Sequence, residues 1–385
     1  MKKIYFLLLL TIAAYGQPKI NFHDAKLSEV LKIAQAQNKP IMYMGYADWC
    51  SHCNKMKNEV FTEASVIDFF NDNFVCAWQD MEAGDGLAVR KKYNVKAFPV
   101  FLFLDQKGEL LYSAHGEFSA QNFIKEAKNA LDEKMQFPYL KARFEADPTN
   151  AENCLAYVSA LRKSNLDTEA AAKKYLSALP DQQLISSVNW KIIANGIRDI
   201  DSREFQYVLK KQPEFAAVSS ARRVERKIIN MVQEWLSPSV AASDTVTYKK
   251  QRVSAAKIAI PQTDSLIYHY DLRIYENTKD WENYRKAAAA GAVRFSWYDA
   301  AGLREMAKVY MNNIREAKAL DDAIGWAQRS LELKDTYETY IVISRLYFYK
   351  NDKKPARQWA EKAKTVAQSY NFDTKQADEI LEQLK

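Results

Sequence analysis

Residues 47–53 read A-D-W-C-S-H-C, which puts Cys50 and Cys53 two residues apart with His52 between them and Trp49 just before. Such a pair can exchange electrons, hold half of a metal site, or close a small structural disulfide. Exchange has a specific requirement. With two intervening residues the first cysteine can sit at a helix N-terminus and the second can follow it into the first turn. The unpaired N–H groups and the helix dipole there stabilise a thiolate on the first cysteine. That thiolate is the nucleophile of disulfide exchange, and the neighbouring thiol can resolve the mixed disulfide. Zinc needs four ligands. The chain has no second C-x-x-C, and His52 and His115 are the only histidines in a position to help, so the ligand count falls short. We therefore expect neither a metal nor a cofactor.

The elements around the pair suit exchange. P-I-M-Y-M-G-Y at 40–46 reads as a buried strand, and the helical pattern that Cys50 opens runs to about Val60. Residues 27–34 carry Leu27, Val30, Leu31 and Ala34 at helical spacing, and 64–72 is helical again. N-F-V-C-A-W at 73–78 and V-F-L-F-L at 100–104 read as further strands. D-Q-K-G at 105–108 is a turn, 109–113 a returning strand, and Ser119 caps a last helix. Strands separated by helices and closed by a hairpin imply an α/β sheet with helices on both faces.

K-P-I-M-Y-M-G-Y-A-D-W-C-S-H-C, followed by Y-N-V-K-A-F-P-V-F-L-F-L-D-Q-K-G-E-L, resembles a thioredoxin-fold domain of the exported thioredoxin-like kind, over about residues 19–134. The resemblance implies that Cys50 is the attacking cysteine and Cys53 the resolving one. It makes Pro99 the family's cis-proline, with the Phe98 backbone free to pair with a substrate strand. Trp49 would cover the disulfide, and Gly116 would let a substrate approach. The family's usual buried acid falls at Met44, which cannot accept a proton. Thioredoxin has Gly-Pro between its cysteines. Ser51-His52 instead resembles protein disulfide isomerase and the strongly oxidising periplasmic enzymes. An imidazolium at His52 would stabilise the Cys50 thiolate, placing the pair between about −270 mV for thioredoxin and about −120 mV for the bacterial oxidant. Cys76, in an apolar strand, and Cys154, on an apolar helix stripe, read as buried bystanders.

The chain opens with M-K-K-I-Y-F-L-L-L-L-T-I-A-A-Y-G-Q. A basic start, an apolar run of about a dozen residues and small Ala14 and Gly16 read as a signal peptide, residues 1–16, cleaved before Gln17. That run is short against the roughly 20 residues of a membrane span. The expectation is an exported protein, periplasmic or secreted, without a stable membrane anchor, in a compartment where disulfides persist. Four cysteines in 385 residues are too few for a disulfide-stapled scaffold. The formal charge of +7 includes Lys2 and Lys3, leaving +5 after cleavage. The densest basic run, A-R-R-V-E-R-K at 221–227, lies in a helical pattern without interleaved aromatics, so we expect a solvated face and no nucleic-acid partner.

The pattern changes near residue 136. The expected domains are the thioredoxin-like domain over 17–136 and an all-helical, solenoid-like region over 137–385, with breaks at 146–150, 179–181 and 236–239. Ala323, Ala327, Ser330 and Leu331 on one helix match Ala356, Ala360 and Ala363 on another. The spacing of 33 residues from Ala323 to Ala356 resembles the roughly 34 of a tetratricopeptide repeat. The likeness is most evident over 303–370. Two functions follow. The first is an exported thiol–disulfide oxidoreductase acting on protein thiols and disulfides through Cys50 and Cys53, with a partner protein on the helical region. The alternative is an interaction scaffold whose thioredoxin-like domain is regulatory or vestigial.

Overall fold

The computed structural model describes residues 19–385; the expected signal peptide, at 1–16, lies outside the described residues. The chain divides into two compact units, the first running to Ile197 and including Arg203–Ala221, the second comprising Arg198–Ser202 and Arg222–Lys385.

The first unit is built on a five-stranded mixed sheet. Its strands are β1 (Phe22–His23), β2 (Ile41–Tyr46), β3 (Val75–Asp80), β4 (Val100–Leu104) and β5 (Leu110–His115), in the order β1-β3-β2-β4-β5. β3 pairs in parallel with β1 and β2, β4 is antiparallel to β2, and β5 is antiparallel to β4. The helices are α1 (Leu27–Gln37), α2 (Ser51–Asn58), α3 (Ala64–Asn73), α4 (Gly86–Lys92) and α5 (Ala120–Leu131). The side-chain alternation of the strands sorts the core into two layers. Met42, Met44, Phe101 and Phe103 face one way and pack with Met56 of α2, Val66 and Phe70 of α3, and Phe123 and Ala127 of α5. Ile41, Tyr43, Val100, Leu102 and Leu104 face the other way, against Val30 and Ala34 of α1 and Val89 of α4. Covered on both faces, the central strands can be continuous apolar runs, which is how V-F-L-F-L reads.

Six helices complete this unit: α6 (Phe137–Ala146), α7 (Ala151–Lys163), α8 (Glu169–Leu176), α9 (Ser187–Gly196), α10 (Arg203–Lys210) and α11 (Gln212–Ala217). α6 and α7 pack against β5. Ser113 of β5 and Ser164, just beyond α7, share a buried 2.6 Å hydrogen bond. Lys163 donates to Glu126 and to the Tyr112 hydroxyl.

The second unit is helical throughout: α12 (Ala221–Ala241), α13 (Thr245–Ala256), α14 (Pro261–Asn277), α15 (Trp281–Gly291), α16 (Ala300–Asn313), α17 (Ala317–Leu333), α18 (Tyr337–Tyr349), α19 (Lys353–Ser369) and α20 (Lys375–Gln383). The expected break at 236–239 is not there. Pro238 lies inside α12, which runs three residues further. Pro238 forgoes the rung to the carbonyl four residues back, and the helix continues past it. The turn comes instead at Ser243, with φ of 55°. The small-residue pattern of the last helices is buried as read: Ala323, Ala327 and Ser330 on α17, and Ala356, Ala360 and Ala363 on α19. Ser344 of α18 donates to the Ala356 carbonyl at 2.8 Å, a contact that requires the two helices to approach closely. No described helix is long and apolar enough to cross a membrane.

Candidate active site

β2 delivers the chain to the site. Its last residue, Tyr46, is followed by a turn in which the Cys50 N–H bonds the Ala47 carbonyl at 3.0 Å. Cys50 then takes extended backbone angles and caps α2, its Sγ accepting the Cys53 N–H at 3.2 Å. The first cysteine thus stands where the free N–H groups of the helix converge, and the second lies one turn in. The two are joined in a disulfide with Cα atoms 5.3 Å apart. Cys53 is fully buried and Cys50 is 4% exposed. Both belong to the same apolar cluster as Met44, Ala47 and Met56. Met44 itself is wholly buried, so the position of the family's acid is apolar.

Two rings meet at the motif. Trp49 is 72% exposed and does not bury itself over the sulfurs. Its indole N–H donates to Glu82 at 2.7 Å, and its ring meets Phe98 edge-on at 6.3 Å. Arg90 donates to the same Glu82 carboxylate at 3.0 Å and lies 5.2 Å over the Phe98 ring. Trp49, Glu82, Arg90 and Phe98 therefore close a loop of contacts. The Trp49 and Arg90 hydrogen bonds hold the Glu82 carboxyl below its ordinary range, Trp49 the more strongly. The Phe98–Pro99 peptide is cis.

A second cluster at the motif is charged. Glu117 places one carboxylate oxygen 2.9 Å from His52 Nδ1 and the other 2.5 Å from Lys55 Nζ. The hydrogen bond with His52, then that with Lys55, lowers the Glu117 carboxyl from its usual value. Gly116, just before it, has φ of +88°, a conformation that L side chains rarely adopt. That gives Gly116 a conformational reason to be glycine, beside the substrate approach the resemblance implies. The turn is fastened twice: Gly116 N–H to the Pro99 carbonyl at 2.9 Å, and Phe118 N–H to Met56 Sδ at 3.3 Å.

The structure thus brings together Cys50, Cys53, Trp49, His52, Phe98 and Pro99 from two separate stretches. Sequence reading missed Glu82, Arg90, Lys55 and Glu117. Only Glu117 had a signal, standing directly after Gly116. The two remaining cysteines, Cys76 and Cys154, are buried free thiols. Burial pushes Cys154 up to about 12 and Cys76 higher still.

Against this geometry, the family model for a thioredoxin-like domain matches residues 27–131. Those residues are a thioredoxin-like domain. Its sequence relatives include the thiol:disulfide interchange protein DsbD of Yersinia pestis, 31% identical over 115 residues, covering 29% of this chain and 19% of the relative. DsbD of Escherichia coli K12 is 31% identical over 103 residues, covering 26% and 18%. The chain therefore spans about a fifth of the length of these relatives. A solution structure of a candidate disulphide-isomerase from Bacteroides thetaiotaomicron is 33% identical and covers 30% of this chain and 97% of that one, with a TM-score of 0.29. The thioredoxin-like domain is homologous to that of these thiol:disulfide interchange proteins, and its own Cys50–Cys53 pair lies at a helix N-terminus.

Proposed function

We propose that this chain is an exported thiol–disulfide oxidoreductase acting on protein thiols and disulfides. The observation that carries the reading is the capping geometry: Cys50 Sγ accepts a hydrogen bond at the head of α2 while its disulfide partner Cys53 is buried one turn on. In the reduced protein the Cys50 thiolate attacks one sulfur of a substrate disulfide. A mixed disulfide forms and the other substrate sulfur leaves as a thiolate, which takes up a proton. Cys53, deprotonated, then attacks Cys50 Sγ. This closes the Cys50–Cys53 disulfide and releases the second substrate thiol, so two electrons pass to the substrate. Run in reverse, the same steps oxidise a dithiol. Trp49 and Phe98 supply an apolar wall, and the backbone at Phe98–Pro99 holds the substrate strand.

On this reading the redox domain ends near residue 136. The helices beyond it, with tetratricopeptide-like packing over 303–370, hold a partner or substrate protein. The apolar run after Lys2 and Lys3 directs export to an oxidising compartment.

The test is catalysed reduction of insulin disulfides by the full chain with dithiothreitol as electron source. The wild type should accelerate it and Cys50→Ser should reduce the rate to background. A wild type no faster than Cys50→Ser would leave the interaction-scaffold alternative standing.

A further inference from the structure

Cations beside a cysteine pair act on one redox form. The dithiol carries its negative charge on the Cys50 thiolate, whereas the disulfide is neutral, so positive charge nearby favours the reduced form and makes the disulfide a stronger oxidant. His52, inside the motif, and Lys55, one helical turn later on the same face, are the basic side chains of α2 that meet an acid here. Neither stands alone. Both reach the same Glu117 carboxylate, through separate oxygens, at 2.9 and 2.5 Å. Glu117 is held for this contact by a turn anchored to Pro99 and to Met56. Its carboxyl is lowered by these partners, so it is ionised in the working pH range.

We infer that Glu117 sets the redox poise of the Cys50–Cys53 pair by serving as counter-charge to His52 and Lys55. The inference rests on the exchange reading above and names a positioning residue for it. The carboxylate orients the His52 ring through Nδ1 and cancels part of the positive potential that His52 and Lys55 cast toward Cys50. The pair is consequently a weaker oxidant than a cysteine pair with an unopposed histidine in that slot. The sign is fixed by electrostatics. Removing a negative charge raises the potential at Cys50.

The experiment uses the full chain, equilibrated with glutathione. In this reaction the protein disulfide takes two electrons and two protons from two glutathione thiols, yielding the dithiol and one glutathione disulfide. The reduced fraction is read by trapping free thiols with an alkylating reagent of known mass. Glu117→Gln should shift the equilibrium constant toward the reduced protein by roughly three- to tenfold at low ionic strength. Molar salt should shrink that shift, because these groups are part-exposed. Lys55→Gln should shift the constant the other way, an opposition of sign that a merely structural role for Glu117 does not produce. An unchanged constant in Glu117→Gln, or a shift toward the disulfide, overturns the inference. A wild-type pair that never equilibrates with glutathione overturns the exchange reading and this inference together. A wild type that equilibrates and is matched by Glu117→Gln overturns the role of Glu117 alone.

Discussion

The Gly116 N–H donates to the Pro99 carbonyl at 2.9 Å, so the strand start that forms one wall of the cysteine site also fixes the turn that forms another. Glu117 follows that glycine and reaches His52 and Lys55 on α2. Three stretches far apart in the chain thereby converge on one disulfide.

The four cysteines should differ sharply in reactivity. All four are largely buried, but Cys50 alone heads a helix, where the free N–H groups favour its thiolate, whereas burial pushes Cys154 up to about 12 and Cys76 further. In the reduced, folded protein at pH 8, iodoacetamide should label Cys50 rapidly and the other three only on unfolding. Peptide mass spectrometry reads this directly. Labelling of Cys76 at the rate of Cys50 would contradict the burial argument.

The helices following the redox domain are tied to its edge strand by polar contacts with little slack. Ser113 is 2% exposed and Ser164 5%, and their hydroxyls meet at 2.6 Å. Ser113→Ala leaves the Ser164 hydroxyl buried without that partner, a loss of about 1–3 kcal/mol. The double variant Ser113→Ala/Ser164→Ala should recover part of it, since no buried hydroxyl is then left unmatched. Urea denaturation of the two variants beside the wild type measures both effects.

Stability should fall on mild acidification because of His115. This residue ends β5 half-buried, its Nδ1 without a hydrogen-bond partner among the described residues. Burial first, and then Lys163, lowers its affinity for a proton below the usual 6.5. The unfolded chain therefore binds a proton that the folded chain refuses, and stability drops as pH falls below about 6.5. Between pH 7 and pH 5 the wild type should lose more stability than His115→Gln. Equal losses in the two proteins, measured by urea denaturation at each pH, would contradict this.

What the sequence disclosed is what short-range pattern controls. The strand at 100–104 appears at Val100–Leu104, and the Ser119 cap accepts the Asn122 N–H. The cysteine pair opens its helix because the local turn at Ala47–Cys50 and the helical run after it are encoded side by side. β1, two residues long, and α4, seven, carry too few positions to show a period. Pro238 misled because proline usually marks a helix boundary, whereas α12 continues three residues past it. Glu82 gave no sign of a site role, and Glu117 only its place after Gly116, for a different reason. Each is an ordinary exposed acid until the sheet carries it across 33 residues to Trp49, or 65 to His52. The counter-charge on the motif is a property of the fold and not of C-x-x-C itself.

The central claim is that Cys50 is an exchanging nucleophile, and trapping its covalent intermediate tests this most directly. The full-length Cys53→Ala variant, reduced and then mixed with insulin, cannot resolve the mixed disulfide. The account predicts an adduct of the chain with an insulin chain, released by dithiothreitol, linked through Cys50 by peptide mass spectrometry, and lost in Cys50→Ser/Cys53→Ala. Absence of the adduct, or its persistence through Cys76 or Cys154 in the double variant, would contradict the claim.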